Sequence, residues 1–144
     1  MVTSKEFQRL ALGEFRPSGY ETRTTVGGEI HVKLPPFSRY NYERYSVVIP
    51  KADRDSKVVL SYTTVSGFRA ACLECDLSKN IATEISIEYL YLDHELNDST
   101  KKEFMEIKGM GLEKAVRAFH QALIMARESP RQVVIEQDKN IALL

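Results

Sequence analysis

Apolar residues recur at two different periods along this chain, and the change between them limits the folds open to it. Up to about residue 93 they come at every second position: Ile30, Val32 and Leu34 alternate with His31 and Lys33. Successive side chains of a strand point to opposite faces, so this pattern predicts half-buried β-strands. After residue 99 the spacing becomes three and four. Leu112, Ala115, Val116, Phe119, Ala122, Leu123 and Ala126 form one stripe, while Glu113, Arg117, Gln121 and Glu128 face away. That is the signature of an amphipathic helix. Strands first and helices afterwards, in 144 residues without an internal repeat or linker, predict one α+β domain over 1–144. Its β-rich part is 14–95 and its helical part 99–129.

Local signals set the expected boundaries. Thr3-Ser4-Lys5-Glu6 fits a capping box, and Gly13 offers a stop, which predicts a short helix over 4–12. Gly27-Gly28 and Ser66-Gly67 each separate two β-prone runs and predict tight hairpins, because their turns need positive φ. The expected architecture is an antiparallel meander of about five to six strands. The segments are 20–26, 29–34, 44–49, 58–65, 68–76 and a long one over 81–93. Helices over 100–107 and 112–128 follow, and a final short strand over 132–136.

Composition excludes several classes. Hydrophobic residues at 43 % and charged residues at 28 % belong to a globular chain. The apolar runs fall far short of the roughly 20 residues of a membrane helix, so no membrane partner is expected. The N-terminus lacks the basic start and apolar stretch of a signal peptide. With only two cysteines, this predicts a reducing, cytoplasmic (intracellular) setting. The net charge is zero but unevenly spread. Residues 1–69 hold 11 basic and 7 acidic residues, net +4; residues 70–100 are net −6, and 101–144 net +2. Such a dipolar surface can steer one face toward a polyanion, whereas a pI near 6.8 argues against a large electrostatic footprint.

The sequence carries no Walker A, nucleophile-elbow, zincin or dinucleotide fingerprint. Cys72-Leu73-Glu74-Cys75 has half the spacing of a zinc site. On a strand, however, the two thiols face opposite sides, and His31, His94 and His120 are widely scattered. Buried, inert cysteines are the expectation, with no metal and no cofactor. Asp93-His94-Glu95 reads as a solvated turn and His120 as a boundary packing residue. Nothing converges on a reaction, so no enzyme is expected.

Residues 104–119 read Phe-Met-Glu-Ile-Lys-Gly-Met-Gly-Leu-Glu-Lys-Ala-Val-Arg-Ala-Phe. This stretch resembles the helix-hairpin-helix motif, with Ile107, Gly109, Met110, Gly111, Ala115 and Phe119 at the matching positions. The resemblance covers about 20 residues. Lys108 replaces the proline often found before the first glycine, and the second helix is unusually long. The resemblance implies contact with a nucleic-acid backbone through the amides of Gly111 and Leu112, aided by Lys108, Gly109 and Lys114.

A second segment, Phe37 to Tyr45, interleaves aromatic residues with arginines. Rings stack on unpaired bases and guanidinium groups hold phosphates, which nominates Arg39, Tyr40, Tyr42, Arg44 and Tyr45. The leading expectation is therefore a sequence-tolerant, single-strand nucleic-acid-binding protein. The alternative is a protein–protein adaptor, inhibitor or assembly factor. The wide 112–128 stripe further predicts a two-fold homodimer.

Overall fold

The computed structural model describes residues 2–35, 45–87, 90 and 96–127. Helix α1 (Ser4–Phe15) opens on Thr3, whose hydroxyl oxygen accepts from the Glu6 N–H at 3.1 Å. Phe7, Ala11 and Phe15 recur four apart and are buried. The expected stop at Gly13 is not used, because Phe15 still belongs to that buried stripe. A 3₁₀ turn over Arg16–Ser18 follows, and Gly19 ends it at φ 75°.

Six strands follow: β1 (Glu21–Thr24), β2 (Ile30–Lys33), β3 (Tyr45–Ile49), β4 (Lys57–Thr64), β5 (Arg69–Asp76) and β6 (Ile81–Ser86). They form one antiparallel sheet in the order β1-β2-β3-β4-β5-β6, the expected meander. The expected hairpin glycines carry the turns, with Gly28 at φ 94° and Gly67 at φ 91°. The strand expected over 81–93 is shorter than its apolar run implies. Beyond Ser86 the Leu90 N–H turns back to the Ile87 carbonyl at 3.1 Å. Residues 88–89 and 91–95, the expected strand over 132–136, and the whole of 128–144 lie outside the described residues.

Two helices complete the fold. In α2 (Asp98–Glu106) Asn97 caps the first turn, its side chain accepting from the Thr100 N–H at 2.7 Å. The long helix is α3 (Leu112–Arg127). It packs on α1, α2 and β6, and α1 also meets β3, so the helices lie on one face of the sheet. Register explains the core. Val32, Val47, Tyr62 and Ala71 stand opposite one another in a row across β2 to β5, and all are buried. Leu60, Leu73 and Ile85 form a parallel row. The α3 stripe, Leu112 to Ala126, is buried in the same cluster. Its apolar width is therefore satisfied within one chain.

Two irregularities interrupt the register. Tyr62 opposes Ala71 but Thr63 opposes Arg69, so Ala70 is an extra residue on β5. Glu74 opposes Glu84 but Cys75 opposes Ala82, so Thr83 is extra on β6. Each bulge resets which residues face the helices.

Candidate functional site

The face of the sheet turned away from the helices is lined by the alternate residues of the same strands. A groove of about 670 Å3 runs over it. Its floor holds Ser46, Val48, Val59, Ser61 and Thr63. Its walls carry Arg23, Lys33, Lys51, Arg54, Lys57 and Arg69 against only two carboxylates, Glu29 and Asp53. His31 also lines it, 3.5 Å from Glu29. Lys33, Lys51 and Lys57 are partly neutralised by Glu21, Asp53 and Glu74 at 3.4, 3.5 and 3.9 Å. Arg23, Arg54 and Arg69 are exposed and have no ion pair among the described residues. The acidic end of the same face begins at Glu74 and Glu84, which stand opposite each other on β5 and β6. The open face is thus basic around the groove, from Arg23 on β1 to Arg69 at the start of β5, and acidic at Glu74 and Glu84.

The aromatic segment is represented by one residue. Arg39, Tyr40, Tyr42 and Arg44 lie outside the described residues. Tyr45 is 1 % exposed, and its ring stacks on Tyr62 with centroids 4.8 Å apart and planes 10° apart. It falls in phase with buried Val47 and Ile49, so it belongs to the core and offers no face to a base.

The glycine hairpin lies at the β6 edge. Gly109 has φ 90°, and its N–H donates to the Ala82 carbonyl at 2.8 Å. The Ala82 N–H donates to the Met110 carbonyl at 2.8 Å, and the Leu112 N–H to the Asn80 carbonyl at 3.2 Å. Ile81 and Gly111 form an antiparallel bridge. The Gly109 and Leu112 amides are therefore spent on the sheet edge, where they satisfy β6 backbone groups. Lys108 pairs with Glu84 at 3.5 Å, and Lys114 is exposed on α3. Neither lysine lines the groove.

His120 has a more specific place than boundary packing. At 2 % exposure its Nδ1 lies 2.7 Å from Glu14 Oε2 and its Nε2 3.1 Å from the Tyr20 hydroxyl. The tautomer that satisfies both partners donates from Nδ1 to the carboxylate and accepts at Nε2 from Tyr20. The Phe15 ring lies 4.5 Å away. Both nitrogens are occupied, so His120 clamps α1 and the start of β1 to α3.

The cysteines face opposite sides as expected, but only Cys75 is buried, Cys72 being half-buried. Cys75 opposes Val58 on the helix side, and burial, with Glu74 beside it, pushes its thiol up to about 12. Cys72 opposes Ser61 on the open side. No group of three His, Cys, Asp or Glu residues suited to a metal occurs among the described residues. Asp93-His94-Glu95 lies outside them. No described helix is long and apolar enough to cross a membrane.

The groove residues were legible only in part. The alternation in β2 sets His31 and Lys33 on the polar side, and the excess positive charge sits in 1–69. Nothing local marks Arg23, Arg54 and Arg69 as lining one groove, because distant segments contribute them. Comparison with protein families, curated proteins and solved structures finds no match to this chain.

Proposed function

We propose that this chain binds single-stranded nucleic acid along the open face of its sheet, holding the sugar-phosphate backbone without reading sequence. The observation that carries this reading is the charge of the groove: six Lys and Arg residues against two carboxylates, in a chain whose net charge is zero. Three of the six are arginines with no ion pair among the described residues. A guanidinium without a carboxylate partner is matched to a phosphate, which it grips through two N–H donors. Hydroxyls on the floor add neutral donors. The groove floor between Lys33 and Arg69 is three strand spacings wide, about 14 Å, and long side chains narrow it further. That width suits one chain rather than a duplex. The glycine hairpin has no part in this reading, since the Leu112 amide donates to the Asn80 carbonyl and Lys108 pairs with Glu84.

The test is a fluorescence-anisotropy titration with labelled oligothymidine. With about three to six phosphate contacts, affinity should fall about tenfold to a few hundredfold between about 50 and 200 mM salt. Polyglutamate of equal charge serves as competitor. Absence of saturable binding at low salt in a folded sample contradicts the reading. Equal displacement by polyglutamate favours the adaptor alternative, with an acidic protein surface as the ligand.

A further inference from the structure

Within that groove, two cross-strand rows differ in a way that localises the grip. The first row runs Lys33, Ser46, Thr63, Arg69 across β2 to β5, each residue directly opposite the next. The second runs Arg23, His31, Val48, Ser61, Cys72 across β1 to β5. Only the first sets two cations with nothing but hydroxyls between them; on β1 it ends on Glu21, which stands opposite Lys33. The place of Arg69 in this row depends on the Ala70 bulge. Counting back from Ala71 in an unbroken strand puts residue 69 on the helix side. The extra residue instead brings Arg69 opposite Thr63, on the open face. Bulges that re-aim one side chain in this way occur next to functional sites.

Resting on the nucleic-acid reading above, we propose that Lys33, Ser46, Thr63 and Arg69 form the anchoring subsite for one phosphodiester. Neighbouring strands stand about 4.8 Å apart, so the Ser46 and Thr63 hydroxyls bracket a tetrahedral anion and donate to two of its oxygens. Lys33 and Arg69 reach in from either end and neutralise it. Lys33 is held ready by Glu21 at 3.4 Å, while Arg69 is exposed and carries no ion pair among the described residues. Hydrogen bonds to an anion are about twice as strong as neutral ones, so each hydroxyl contributes measurably although it has no charge.

The prediction separates hydroxyl from charge. Ser46→Ala and Thr63→Val should each weaken oligothymidine binding about tenfold while leaving the salt slope unchanged. Thr63→Val keeps the β-branched shape, so the strand is retained. Arg69→Ala should lower the slope by about one. Ser86→Ala, on the same face at β6 but outside the groove, should bind as the unaltered protein does. Thermal melts of each variant check the fold. If the unaltered protein binds but both hydroxyl variants match it, the subsite is wrong and the groove reading stands. If the variants lose affinity only together with melting temperature, the subsite is likewise wrong. If the unaltered protein does not bind at all, both readings fall.

Discussion

On β2, Ile30 and Val32 lie beneath the helices, while His31 and Lys33, one residue out of phase, line the open groove. The same division runs through β3 and β4, where Tyr45, Val47, Ile49, Leu60 and Tyr62 face inward and Ser46, Val48, Ser61 and Thr63 face outward. The inner face carries the stability, because each buried apolar side chain contributes roughly 1.5–3 kcal/mol. The outer face gathers six cations around the groove, three of them in exposed ion pairs that add little to folding and three arginines with no ion pair among the described residues. Three arginines without an ion pair are what the function proposed above requires of that face.

Truncation of a core residue gives the largest expected contrast between the faces. Phe119 is fully buried and meets the Phe104 ring edge-on at 6.3 Å. Phe119→Ala should cost about 3–5 kcal/mol in denaturant unfolding. Arg69→Ala, on the open face, should change stability by no more than about 0.5 kcal/mol. A comparable loss at Arg69 would mean that the groove is part of the stabilising architecture.

At the β6 edge the two hairpin glycines differ in what they tolerate. Gly109 stands at φ 90°, a conformation that disfavours a Cβ, and Gly109→Ala should cost about 1–2 kcal/mol. Gly111 has no positive φ, and an added Cβ would lie 3.9 Å from the Asn80 carbonyl oxygen, an ordinary contact. Gly111→Ala should therefore stay within about 0.5 kcal/mol. Neither change should alter oligothymidine affinity. Loss of affinity at Gly111→Ala with stability intact would return the hairpin to the binding site.

The α+β class, the meander order and the assignment of residues to faces were readable because they follow from local period. Thr3, Gly28 and Gly67 act where the sequence places them. What was not readable depends on pairing between distant segments. The run from Phe37 to Tyr45 resembles a stacking surface by composition, yet Tyr45 is in phase with Val47 and Ile49 and joins the core. Gly109-Met110-Gly111 resembles a phosphate hairpin, and only contact with the β6 edge reveals where the Gly109 and Leu112 amides go. Arg69 reaches the open face through one extra residue on β5, which strict alternation does not foresee. Glu14, Tyr20 and His120 meet across a separation of 100 residues and more.

In the function proposed above, the open face of the sheet holds nucleic acid and the hairpin does not. The direct measurement compares two variants in one anisotropy titration at low salt. The first carries Arg23→Glu, Arg54→Glu and Arg69→Glu, and the second carries Lys108→Gln and Lys114→Gln. The account predicts that the triple variant remains folded and loses at least about a hundredfold in oligothymidine affinity, with a flattened salt dependence. The hairpin pair should stay within about threefold of the unaltered protein, since phosphates it does not touch release no counterions. Retained affinity in the triple variant, or a loss confined to the hairpin pair, would contradict the account.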